Sequence, residues 1–265
     1  RFIMTFPNET LPKGRKQKTT ALYDRFVNQG AVMGDSFGLE NVLWFANNKE
    51  DAHEEPTIKR SRSHDYVSKE VINVRENVGL IEVANFSKHE FKGPDARKFL
   101  DHIMAGRLPK PGRISLSPML SYRGKLCGDL TVACLDENEF MVFGSGAAQE
   151  MHRRWFESHL DKFNLSYSNR SDEYHGLSIA GPNSRKVLEK IVRDDVSNEK
   201  FKFRDSRRIF VGGVPALVNR ISFTGELGYE IYVAPHYQLK LYEELMQAGK
   251  EFNIKPFGGR ALMSM

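Results

Sequence analysis

Through much of the chain apolar residues fall at every second position, the period of a strand with one face in a core. Elsewhere they fall at every third or fourth, the period of a helix. The alternation predicts strands over Gly79–Phe86, His89–Lys92, Arg113–Leu120, Leu126–Leu135, Glu139–Gly144, Arg207–Phe210, Val214–Phe223 and Tyr229–Val233. Helical spacing predicts helices over Tyr66–Glu76, Ala147–Leu160 and Tyr237–Phe252. A further helix follows the turn Gly93-Pro94-Asp95, where Ala96, Phe99, Leu100 and Ile103 form an apolar stripe. Pro94 suits a first helical turn and Asp95 complements its positive end. Strands and helices interleaved with hairpins predict an α+β fold rather than a doubly wound parallel sheet.

The same local design occurs twice. The segment Phe91-Lys92-Gly93-Pro94-Asp95-Ala96-Arg97-Lys98-Phe99-Leu100 is echoed by Ile179-Ala180-Gly181-Pro182-Asn183-Ser184-Arg185-Lys186-Val187-Leu188, so the chain reads as two related strand-turn-helix units. Residues 48–65 carry almost no apolar side chains and predict an exposed loop. Before it, the cluster Val42-Leu43-Trp44-Phe45 needs something to pack against. The division expected is therefore a connecting segment over 1–65 and a main folded domain over 66–265.

Composition narrows the function classes. With 265 residues and 40% hydrophobic content the chain can bury a sizeable core. No stretch has the roughly 18 consecutive apolar residues of a membrane span, and the N-terminus lacks the apolar run of a signal peptide, so a soluble intracellular protein is expected. The net charge of +5 comes from 39 basic and 34 acidic residues mixed along the chain, and the basic runs at 13–18 and 59–62 lie in polar segments. Nucleic acid is not an expected partner; a mildly basic surface also suits a polyanionic small molecule. Cys127 and Cys134 are spaced for opposite faces of one strand, which disfavours a disulfide, and no spacing of Cys and His reads as a metal site. His152 and His159 share a face of one predicted helix, read as a solvated polar face.

Two carboxylates stand out. Over Leu126–Leu135 the alternation puts Leu126, Leu130, Val132 and Cys134 on one face and Asp129 on the other, beside Cys127 and Thr131. An acid there either faces water or serves a site. Glu226 sits in the Gly-flanked turn Thr224-Gly225-Glu226-Leu227-Gly228, where its two oxygens could accept paired N–H donors of a ring edge or simply face solvent. No P-loop, Gly-x-Gly-x-x-Gly or Gly-x-Ser-x-Gly motif occurs.

The segments Val78–Lys88, Gly93-Pro94-Asp95-Ala96, Pro118-Met119-Leu120, Gly128–Val132 and Phe223–Glu230, in this order, resemble the motifs of the glycine cleavage T-protein (aminomethyltransferase) superfamily. Upstream, Ala21-Leu22-Tyr23-Asp24-Arg25 and the stretch from Gly30 to Phe45 resemble the junction between the flavin and folate halves of dimethylglycine and sarcosine dehydrogenases. The resemblance implies the T-protein fold, with mixed and antiparallel sheets and packed helices. It implies tetrahydrofolate as cofactor and an amine-derived one-carbon donor, with 5,10-methylenetetrahydrofolate as product in glycine or methylated-glycine catabolism. It also implies a flavin-dependent dehydrogenase domain or subunit as partner, and a cytoplasmic location or, in a eukaryote, the mitochondrial matrix. By the same resemblance Asp129 is catalytic, near the reactive amines of folate, while Glu226, Arg260 and Tyr229 bind the cofactor. The family's flavin domain and C-terminal β-rich barrel are not matched, so a fragment or a short relative is expected. Thirteen residues before Asp129, where many members have tyrosine, stands Leu116. Two other readings on the same fold are a folate-dependent demethylase and a non-catalytic regulatory module.

Overall fold

The computed structural model describes residues 14–54 and 57–265; Lys13 of the basic run and residues 55–56 of the polar run lie outside the described residues. The chain begins with α1 (Tyr23–Asn28) and the hairpin β1 (Ala31–Ser36) and β2 (Leu39–Phe45), then α2 (Ser63–Glu76) and β3 (Val78–Glu82). Next come β4 (Phe86–Lys92), α3 (Ala96–Ile103), β5 (Arg113–Leu120), β6 (Leu126–Asp136), β7 (Glu139–Ser145), α4 (Gln149–Glu157) and β8 (Ser166–Asn169). The rest is β9 (His175–Ala180), α5 (Ser184–Glu189), β10 (Ser206–Val211), β11 (Val214–Asn219), β12 (Gly228–Val233), α6 (Gln238–Ala248), β13 (Ile254–Pro256) and α7 (Gly259–Leu262).

Two sheets carry the fold. One has the order β5-β6-β7-β4-β8 and is antiparallel throughout; the other has the order β10-β11-β12-β9-β3-β13, antiparallel except where β13 runs parallel to β3. This is the α+β architecture expected, with antiparallel and mixed sheets. The sequence echo proves topological: β4-α3-β5-β6-β7-α4 and β9-α5-β10-β11-β12-α6 are the same path, each closing its last strand onto its first. The strand preceding each unit crosses to the other, β3 pairing with β9 and β8 with β4, so the units interlock.

Burial explains the layers. Phe91, Phe99, Phe140 and Phe156 fill the space between the five-stranded sheet and its helices. Ile179, Val187, Ile231 and Leu241 do the same for the six-stranded sheet. Between the sheets Ile114, Met141 and Phe143 of one meet Ile81, Leu217 and Tyr232 of the other, so both faces of each sheet are covered.

The first helix and hairpin belong to these cores. Leu22 and Phe26 pack with α6 residues, Phe26 standing edge-on to Tyr242 with ring centroids 5.6 Å apart. Trp44 is fully buried, its ring 5.0 Å from that of Tyr66. The 48–65 run is largely exposed up to the start of α2, which begins at Ser63 rather than Tyr66. Alternation also fails at Leu126, which is exposed because the register shifts between Met119 and Leu120, and Cys127 packs toward the helix-side core instead of beside Asp129. His152 corrects the expectation of a solvated helix face, since α4 turns it inward and leaves it 2% exposed. Both cysteines are free. No helix among the described residues is long and apolar enough to cross a membrane.

Each unit turns from its first strand into its first helix through a glycine with positive φ, +137° at Gly93 and +128° at Gly181. A Cβ at Gly181 would stand 2.4 Å from the Val74 carbonyl oxygen. Gly181→Ala should therefore lower unfolding stability by at least about 1–3 kcal/mol, the cost of a strained backbone before any clash. Urea titration followed by circular dichroism measures it, and an unchanged midpoint would show that the turn is not constrained.

Candidate functional site

Where the two sheets separate at one end of their shared core, a cavity of about 730 Å³ opens to solvent. That volume falls within the range of small-molecule sites. The five-stranded sheet contributes Leu116, Asp129, Thr131 and Phe143, and the six-stranded sheet contributes Glu230 and Tyr232. Asp129 gets there by strand alternation: Leu130 and Val132 point into the helix-side core, so Asp129 and Thr131 point the other way.

The opposite wall holds a carboxylate that the sequence reading did not select. Glu230 lies on β12 with Tyr232 two residues on, and the Tyr232 hydroxyl donates to Glu230 Oε2 at 2.8 Å. Burial raises the Glu230 carboxyl from its ordinary 4.5 to about 7. The Tyr232 hydroxyl is held well above its usual range by burial and by the neighbouring carboxylate. Behind the pair lies Lys88, a fully buried ammonium 5.9 Å from the Tyr232 ring centroid, which donates to the Ala84 carbonyl at 2.9 Å. Its burial lowers its pKa to about 7. The inner wall of the cavity is thus a carboxylate of adjustable charge, able to accept hydrogen bonds from a polar ring edge, with a buried amine, likewise of adjustable charge, behind it.

The other expected binding residues lie elsewhere. Glu226 is in the connection before β12 with its carboxylate 3.5 Å from Arg75, outside the cavity lining. Tyr229 is fully buried on the opposite face of β12 from Glu230, among the helix-side residues, and receives a hydrogen bond from Arg185 at 3.2 Å. One position along a strand reverses the face, which is why Glu230 and not its neighbour Tyr229 enters the cavity. Arg260 of α7 donates to Ser63 and pairs with Glu54 at 2.8 Å, fastening the last helix to the segment before α2. Of the four residues expected at the site, the structure brings only Asp129 to the cavity. The signal for Glu230 was present in the sequence as a lone acid inside the apolar run Tyr229–Val233.

The mouth is aromatic. Phe37, Phe203 and Phe223 each line it and are more than 60% exposed, as is Leu116. Phe37 and Gly38 form the two-residue turn between β1 and β2, both with positive φ. That backbone is unfavourable for a bulky side chain, and it carries the ring to the mouth. Arg204, with φ +68°, also lines the cavity and anchors its Nε on the Ile114 carbonyl at 2.9 Å.

Comparison with known proteins gives one consistent answer. The family described as GCVT N-terminal domain matches residues 22–265. The chain is 34% identical to mitochondrial dimethylglycine dehydrogenase of Mus musculus, over 99% of its own length and 30% of that protein's. It is 31% identical to sarcosine oxidase subunit alpha of Rhizobium meliloti, over 92% of its length and 25% of the relative's. It thus spans less than a third of either. Among solved structures, the glycine cleavage system aminomethyltransferase T from Bartonella henselae superposes with a TM-score of 0.76 at 21% identity, covering 93% of this chain and 61% of that one.

A carboxyl whose folded pKa is raised makes stability fall with pH. Below the ordinary value of 4.5 both folded and unfolded chains hold the proton; as pH rises through about 7 the folded chain must ionise a buried group. Replacing Glu230 with Gln removes that loss, while the other buried titrating groups stay common to both proteins. The stability difference should therefore shift in favour of Glu230→Gln by about 1–3 kcal/mol between pH 5 and pH 8. Urea titrations at the two pH values measure it, and a difference independent of pH would mean that Glu230 ionises as freely as it does in water.

Proposed function

The chain belongs to the GCVT N-terminal domain family, and from that premise we propose that its cavity binds tetrahydrofolate and transfers a one-carbon unit to it. The product of this reading is 5,10-methylenetetrahydrofolate, formed from an amine-derived donor in glycine or methylated-glycine catabolism. The observation that carries it is the pair of carboxylates on opposite walls of one cavity, Asp129 from one sheet and Glu230 from the other. The similarity to dimethylglycine dehydrogenase and to a sarcosine oxidase subunit supports a flavin-dependent dehydrogenase domain or subunit as the source of the donor.

The residues present fit the cofactor. Glu230, steadied by Tyr232, offers two acceptor oxygens on the inner wall and would take the paired N–H donors of the pterin, the role expected from sequence for Glu226. The aromatic mouth would hold the benzoyl ring, with the charged tail toward solvent. Tetrahydrofolate supplies the two amines that take up the one-carbon unit. Asp129 would face those amines, stabilise positive charge as it develops on the transferred carbon, and hold the proton released there. Arg260 and Tyr229 would act only through the packing of α7 and β12.

Asp129→Asn should leave tetrahydrofolate affinity nearly unchanged and lower the rate by about 10²–10⁴, the usual effect of losing a positioned acid–base group. Glu230→Gln should weaken binding by about 1.5–3 kcal/mol, whereas Glu226→Gln should change it by less than about 0.5 kcal/mol. Calorimetry with tetrahydrofolate measures the affinities. The rate is 5,10-methylenetetrahydrofolate formation above the spontaneous background when an amine oxidase supplies formaldehyde. Loss of affinity in Glu226→Gln with none in Glu230→Gln would place the pterin elsewhere.

A further inference from the structure

The stretch of β6 that carries Asp129 is paired with a neighbouring strand on one side only. On one side Asp129 stands opposite Pro118, whose carbonyl is turned away from β6 and accepts from the Ala105 N–H at 2.8 Å, so the two form a pair without ladder hydrogen bonds. On the other side pairing with β7 starts only at Thr131, opposite Phe143. Between them Met119 pairs with Gly128 and Leu120 with Leu126, leaving Cys127 as the extra residue of a β-bulge. A bulge two residues from a site carboxylate needs its own fastening, because its carbonyl is drawn out of the ladder.

That fastening comes from helix α4. His152 Nε2 lies 3.2 Å from the Cys127 carbonyl oxygen. A carbonyl can only accept, so Nε2 carries the hydrogen. Burial lowers the pKa of the ring, which is neutral and leaves Nδ1 as an acceptor. The ring is admitted by two glycines. A Cβ on Gly128 would meet His152 Nε2 at 2.8 Å, and one on Gly144, which lines the cavity, would meet Nδ1 at 3.1 Å. Ser87 Oγ, also fully buried, lies 3.1 Å from that same point above Gly144, and neither it nor Nδ1 has a hydrogen-bond partner among the described residues.

We propose that His152 is a positioning residue for Asp129: its Nε2–H holds the Cys127 carbonyl, and so fixes the bulge that sets where the Asp129 carboxylate stands in the cavity. The role rests on the assignment of Asp129 as the catalytic group. It accounts for a buried imidazole on a helix otherwise facing an apolar core, and for glycine at both 128 and 144.

The test is a pair of substitutions in the full chain. His152→Phe keeps the volume and removes the donor, whereas His152→Gln carries an amide N–H of similar reach. His152→Phe should keep tetrahydrofolate affinity within about 2-fold and lower turnover about 10–100-fold, the scale of a carboxylate misplaced by about 1 Å, and His152→Gln should recover most of the loss. Equal turnover in all three proteins, or a loss that His152→Gln does not recover, overturns the proposal. Asp129→Asn run beside them separates the failures. Turnover lost there but kept in His152→Phe overturns the positioning role alone, and turnover kept in both overturns the function with it. Nitrogen-15 NMR of the unmodified chain at neutral pH is a readout independent of whether the variants fold. The neutral Nε2–H tautomer is expected for His152, and an Nδ1–H tautomer overturns the proposal.

Discussion

The contact of Phe143 with Tyr232, one ring from each sheet with centroids 4.7 Å apart, is the interaction on which the rest of the structure depends. It sits in the apolar layer between the sheets and also forms part of the cavity wall. Because the Tyr232 hydroxyl holds Glu230, the packing that joins the sheets also sets the inner wall of the site. Loss of that ring would loosen the inter-sheet core and release the carboxylate together, so stability and binding are not separable there.

The interlocked units explain why a cavity forms at this place. Phe143 on β7 and Tyr232 on β12 occupy the same strand of the repeated path, so the sheets meet through equivalent elements, and the site draws one carboxylate from each unit. The units are not chemically equivalent. Asp129 is exposed to the open part of the cavity, whereas Glu230 is half-buried, with Lys88 behind it and Glu82 nearby, whose burial likewise raises its carboxyl to about 7. Gln238 donates its amide N–H to Glu82 and its amide oxygen accepts from His175 Nδ1 at 3.2 Å, so the buried acid is hydrogen-bonded on its far side. Buried charges of this kind add little net stability even when paired, and their presence beside a cavity is explained more readily by binding than by folding.

Much of the fold was legible because the sheets have one period. The limits of β5 follow directly from alternation, β6 and β7 extend one residue beyond the predicted stretches, and the paired Gly-Pro turns announced the duplication. The segments missed are those where local pattern is weak: β8 is polar, β13 is three residues containing a proline, and the β1–β2 hairpin closes through Phe37-Gly38 rather than a typical turn pair. At the site, Asp129 was legible because one face of its strand is plainly apolar. Alternation could not assign Glu230 to a face, because β12 is largely buried on both, and its one signal was to be the single acid in the run Tyr229–Val233. Glu226 drew attention as an acid in a glycine-rich turn, yet the chain carries it outside the cavity, toward Arg75. His152 read as surface because α4 is rich in charge; the glycines that receive it lie on two other strands, a relation only the fold brings together.

The most direct measurement is a crystal structure of the chain with tetrahydrofolate bound. The expected result is a pterin whose N–H edge meets the Glu230 carboxylate between the two sheets, with its reactive amines facing Asp129. A pterin held by Glu226 and Arg75, or bound anywhere outside this cavity, would contradict it.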